Sequence, residues 1–80
     1  MRATVAVSFR PGVLDPEAAA IGRSLQGLGF DTVREVRRTR LIELELDEAD
    51  RAAAEAKVRT MCEKLLANPV IESYRVELAA

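Results

Sequence analysis

The sequence predicts an α+β fold, a two-layer sandwich in the order β-α-β-β-α-β, with a mainly antiparallel sheet and two helices on one face. Three observations predict it. Residues 3–9 and 74–78 alternate in the period-two manner of half-buried strands. Two longer stretches, after Asp15 and after Asp47, carry apolar residues at helical spacing. Between them, residues 32–38 and 40–46 read as two strands joined at a tip, which makes the sheet at least partly antiparallel. The pattern suits a ferredoxin-like arrangement, and residues 1–80 are expected to form a single domain.

The first strand places Ala3, Val5, Val7 and Phe9 on one face, and Arg10-Pro11-Gly12 ends it. Pro has no N–H for a ladder and Gly permits a turn. Asp15 is a good N-cap for the first helix, and Pro16 suits its first position, where a missing N–H costs nothing. Ala18, Ile21, Leu25 and Leu28 make its apolar stripe, and Gly29 reads as the C′ stop. The second strand, 32–38, is the least regular, because Val33 and Val36 have opposite parity. In the third, Ile42, Leu44 and Leu46 face one side and Glu43 and Glu45 the other.

The second helix is expected over 47–67. Asp47, Glu48 and Asp50 put negative charge near its positive end. Ala54, Val58, Met61, Cys62 and Leu65 form its stripe, and Asn68-Pro69 stops it, because a residue before Pro is pushed out of the helical region. Tyr74, Val76 and Leu78 alternate in the last strand.

Composition excludes several functions. The chain has 80 residues, one Cys and no His, so neither an internal disulfide nor a zinc cluster is available. A chain this short buries only about 60% of the surface its unfolded form exposes, and oligomerisation is a common remedy. The net charge of -1 gives no global pull toward nucleic acid or an anionic membrane. No membrane-length apolar run or signal-peptide pattern is present, and the protein reads as cytoplasmic.

No side chains read as catalytic. Cys62 would need a base, most often His, to act as a nucleophile. It falls on an apolar helix stripe, where free Cys packs as a small hydrophobe. Glu43 and Glu45, and the acidic cluster at 47–50, read as a solvated strand face and a helix-dipole cluster. The four glycines make neither G-x-G-x-x-G nor a P-loop. No cofactor or metal is expected in the chain.

The local anomaly is basic. Arg34, Arg37, Arg38 and Arg40 crowd into seven residues. With Arg38-Thr39 as the tip, Arg34 would oppose Glu43, Arg37 would oppose Arg40, and Val36 would oppose Leu41 on the outer face. The tip lacks the Gly or Asn of a tight hairpin turn. A partner that compensates these charges accounts for both oddities; a mobile, solvated tip is the bland alternative. Few aromatic platforms accompany the arginines, so nucleic acid is not expected as a partner.

Three stretches resemble a known family: "RPGVLDPEA" (10–18), "LGFDTVREVRRTRLIELEL" (28–46) and "MCEKLLANPVIESYRVEL" (61–78). Together they are similar to the small S subunit of phosphoribosylformylglycinamidine synthase, the PurS family, over essentially the whole chain. At the tip the family usually reads Val-Arg-x-Gly-Lys, whereas here Thr39 and Arg40 replace the Gly and Lys.

The resemblance implies a non-catalytic subunit of a three-part complex. A large synthetase subunit, using ATP and Mg, would activate formylglycinamide ribonucleotide, and a glutaminase subunit would supply ammonia. This chain would bridge the two as a homodimer or homotetramer. Its candidate interface residues are Val36, Arg37, Arg38, Arg40 and Leu41 in the hairpin. Asn68, Pro69 and Tyr74 join them, with the Asn-Pro stop expected to set the last strand's register in a sheet shared between subunits. Without the resemblance, two readings stay open: a ferredoxin-like regulatory or small-ligand-binding module unrelated to purines, and an RNA binder using the arginines.

Overall fold

The computed structural model describes residues 1–79. Strand β1 (Arg2–Phe9) leads through a turn into helix α1 (Pro16–Gly27). Strand β2 (Thr39–Glu45) precedes helix α2 (Arg51–Met61), which runs into a π turn at Cys62–Leu66, and strand β3 (Glu72–Ala79) closes the chain. The sheet is antiparallel in the order β2-β1-β3. The α+β class, the antiparallel sheet and the two helices are those the sequence predicts.

The sheet register follows from the alternation. Val5 stands between Ile42 and Val76, and Ala3 between Leu44 and Leu78. These residues share the inner face, which α2 covers with Ala54, Val58 and Cys62. Ala3, Val5, Val58 and Cys62 are all 0% exposed, so this is where most of the hydrophobic stabilisation sits. The outer face carries Thr4, Glu43, Arg75 and Glu77, with exposed Leu41 as its one large apolar residue.

The expected second strand is a correction: residues 32–38 pair with no strand, and the sheet has three strands instead of four. A tight hairpin at Arg38-Thr39 needs residues at positive φ, and no non-Gly residue adopts it. The chain instead runs on into β2, which pairs with β1. The expected oppositions of Arg34 with Glu43, Arg37 with Arg40 and Val36 with Leu41 therefore do not occur within the chain.

The stripe of α2 also departs from expectation. Met61 is 37% and Leu65 83% exposed, while Leu66 packs against the core. The Ala67 N–H reaches back five residues to the Cys62 carbonyl. That wider turn shifts the inward position from Leu65 to Leu66. The helix begins later than expected, with Asp50 as its N-cap accepting from the Ala52 and Ala53 N–H groups.

The caps of α1 are those the sequence predicts. Asp15 accepts from the Glu17 and Ala18 N–H groups, and Pro16 opens the helix. Gly29 takes φ +97°. The Phe30 N–H donates to the Leu25 carbonyl and the Gly29 N–H to that of Gln26, the paired bonds of a Schellman stop. The partner of the stripe is the surprise. α1 packs substantially on no strand. Ala18 is buried, but Ile21 is 42% and Leu28 75% exposed. The molecule is accordingly long and thin, 50 × 26 × 14 Å.

Candidate functional site

Residues 33–38 lie along α1 as an extended segment. Gln26 Nε2 donates to the Val33 carbonyl at 3.2 Å. Val36 sits over Gly22, where an added Cβ would stand 3.6 Å from Val36 Cγ2. Arg38 then reaches the helix start. Its Nη2 and Nε donate to the two Asp15 carboxylate oxygens at 2.9 and 3.1 Å, and its Nη1 to Glu17 at 2.6 Å. From Gln26 back to Asp15 the helix covers about 16 Å, and five residues span that distance only when extended. Helix and segment together form an arm projecting beyond the sheet.

The Arg38 fork fixes the arm's geometry. Its hydrogen bonds hold the Asp15 carboxyl below its ordinary pKa, against partial burial and with help from the Ala18 and Glu17 N–H groups. The Asp15 side chain is only 12% exposed. Arg37 lies outside and pairs with Glu35 at 2.9 Å. An open groove of about 540 Å³ runs between the arm's two elements and the 10–15 loop. Its arginines include Arg37 and Arg38, whose charges are already met by carboxylates.

The Asn68-Pro69 stop forms the second cluster. The Asn68 carbonyl accepts from the Ile71 and Glu72 N–H groups, and its Oδ1 accepts from the Val70 N–H. Glu72 returns a carboxylate oxygen to the Asn68 N–H at 2.7 Å. Arg10 Nε donates to the Pro69 carbonyl at 3.0 Å, and the Arg10 N–H to that of Ile71. From β2, Arg40 Nη2 donates to the Leu66 carbonyl at 2.9 Å, and its Nη1 stands 3.7 Å from a Glu72 carboxylate oxygen. The strand whose start this turn fixes is β3, paired with β1 of the same chain.

Cys62 is not placed for chemistry. It is fully buried, and burial followed by the charge of Glu63 pushes its thiol pKa up. A protonated, enclosed thiol is neither nucleophile nor metal ligand. Tyr74 is half-buried on the inner face, packed against the core. The hydrogen bond with Glu63, and then burial, push its phenol pKa up.

The structure thus divides the sequence's candidates. Val36, Arg37 and Arg38 share the arm; Arg40, Asn68 and Pro69 share the turn; Leu41 is alone on the outer face; Tyr74 belongs to the core. Sequence reasoning missed Arg10 and Glu72, which pin the turn, and the second role of Asp15 and Glu17 in holding Arg38. The Asp-Pro-Glu spacing was a signal for those two: a cap with a second carboxylate beside it leaves room for a bidentate cation. Also missed were Leu14, Leu28 and Phe30, which are 73%, 75% and 55% exposed.

Charged groups here hold backbone and one another, while apolar side chains and a sheet edge face outward. The fold and surface are those of a small α+β assembly module. A family model described as PurS, phosphoribosylformylglycinamidine (FGAM) synthase, matches residues 2–80. The PurS subunit of Synechocystis is 49% identical over 74 residues, 92% of this chain and 74% of that protein. The PurS structure of Bacillus subtilis superposes with a TM-score of 0.89 at 39% identity, covering 99% of this chain and 98% of that one. The Thermotoga maritima structure of PurLQS matches with a TM-score of 0.84 at 33% identity, over 95% of this chain and 93% of that one. The chain belongs to the PurS family: it is a small non-catalytic subunit of the FGAM synthase ligase complex of purine biosynthesis. Among the described residues, no helix is long and apolar enough to cross a membrane.

Proposed function

We propose that this chain bridges an ATP-dependent synthetase subunit and a glutaminase subunit, and couples ammonia supply to ligation. The observation that carries the reading is the match, over 95% of this chain and 93% of that one, to the T. maritima chain solved in PurLQS. ATP and Mg belong to the synthetase partner, and this chain binds neither. The complex works in the cytoplasm. The chain, one domain over residues 1–80, self-associates as a dimer or tetramer. Its exposed α1 stripe and short length support that, because a helix face left in water contributes little burial to so small a molecule.

Glutamine-dependent ligation by the synthetase and glutaminase subunits, with and without this protein, tests the reading. Activity that rises only when the chain is added is the expected result. Equal activity in its absence overturns it. Tight binding of a small ligand by the isolated chain, without any effect on ligation, would point to a ligand-binding module.

A further inference from the structure

We propose that the groove between α1 and residues 33–38 receives an extended acidic segment of one of the two larger subunits. This names a docking surface for the bridging role above and rests on that reading. The segment brings a carboxylate to Arg23 and Arg34 and, about four residues away, an apolar side chain to Leu14.

Three features of the chain carry the proposal. The first is unspent positive charge. Among the described residues, nine of the 12 Lys and Arg side chains hold a carboxylate or a backbone carbonyl. Arg23, Arg34 and Lys64 hold neither, and the first two line the same groove. The groove's own carboxylates are taken, Asp15 by Arg38 and Glu35 by Arg37. Arg10, at the loop end, gives its Nε to the Pro69 carbonyl and meets no carboxylate among the described residues. The groove is therefore positive in a chain of net charge -1.

The second is convergence. Along an extended segment Arg34 shares a side with Val36 and Arg38, and both of these contact α1. Arg23 follows Gly22, the residue on which Val36 rests. Two guanidinium groups thus enter one groove from facing walls. Like charges so placed repel, and a carboxylate between them turns that repulsion into attraction. The α1 wall is low there, built of Ala18, Ala19 and Gly22, so a polypeptide backbone can approach closely.

The third is shape. The groove is open and follows α1 from Gln26 back to Asp15, about 16 Å. Arg23 and Arg34 are exposed. An exposed ion pair contributes little alone, so a small anion would be held weakly. A segment laid along the groove also covers Leu14, which is 73% exposed at the loop end. From Leu14 to Arg23 the helix rises about 13 Å, which an extended chain spans in about four residues. Apolar contact at one end and two guanidinium groups toward the other fix the segment's direction.

Charge reversal in the full chain tests this against each larger subunit, with affinity read by biolayer interferometry and folding by circular dichroism. Arg23→Glu with Arg34→Glu should raise the dissociation constant for one of the two about ten-fold and flatten its dependence on salt. Arg23→Glu alone should raise it about three-fold. Lys64→Glu makes the same charge change outside the groove and should leave affinity unchanged. A folded double variant that binds both subunits like the wild type overturns the proposal, as does a Lys64→Glu variant that loses as much. Inorganic pyrophosphate bound by the isolated chain at micromolar concentration, with the Arg23 and Arg34 Nε resonances shifted, also overturns it, because the groove is then a small-anion site. The ligation assay reads separately. A double variant that binds and couples ligation normally defeats the groove and leaves the subunit role standing, whereas a wild type that neither binds nor couples defeats both.

Discussion

The body of this protein and its arm are held by different forces. In the body, β1 and α2 meet through Val5, Val58 and Cys62, all 0% exposed, and apolar burial dominates. In the arm, α1 is tied to residues 33–38 by Gln26, by Val36 over Gly22 and by the Arg38 fork, while Leu28 and Phe30 stay in water. The arm has a defined geometry but little burial.

The contrast can be broken first from the body side. Val58→Ala should cost about 2–3 kcal/mol, because it removes two methyl groups from a site with no solvent to fill it. Urea unfolding of the isolated protein measures it, and a loss under half that size would mean the body is looser than its burial implies.

Gly29→Ala addresses the arm. At φ +97° an L side chain clashes with its own backbone, so the substitution should cost about 1 kcal/mol. The loss should fray the end of α1, seen as faster amide exchange at Leu25 and Gln26 with exchange in α2 unchanged. Equal loss of protection in both helices would show that arm and body unfold as one unit.

Pro69→Ala probes the turn between helix and β3. It frees the unfolded chain and should cost about 0.5–1 kcal/mol, with the β1–β3 pairing kept. If the stop acts on assembly beyond the chain, the oligomer will weaken by more than this, and ultracentrifugation beside urea unfolding separates the two.

The mildest perturbation is pH. The folded pKa of Asp15 lies below its unfolded value of about 3.9, with Arg38 as the first cause. Its contribution is therefore fully present above the unfolded value and lost as pH falls through the lowered folded one. Acidification from about pH 4 downward, through the lowered folded value, should release the start of α1, seen by NMR as a shift of the Ala18 amide and loss of the Arg38 Nε contact. An Asp15 carboxyl titrating at its ordinary value would show that the fork is absent in solution.

The elements whose sequence signal rests on neighbouring residues were legible. Asp15-Pro16, Gly29 and Asn68-Pro69 act through their own backbone geometry, and they cap or stop their helices where expected. Alternation fixed which residues of β1, β2 and β3 face the core. Cys62 was legible as a packing residue, since no His exists to activate it. The π turn was not: the spacing fits Leu65 and Leu66 almost equally, and only packing against the sheet selects Leu66.

The sequence by itself determined the α+β class, the helix caps, the buried thiol and the family resemblance, because each depends on local geometry or on residue type. Tertiary structure alone decided where residues 33–38 go. Their strand character was readable, but a strand can pair with its neighbour in the chain, lie along a helix or wait for another copy. That choice turns on whether Arg38-Thr39 bends, and Arg38 settles it by reaching Asp15 and Glu17, more than twenty residues away in sequence.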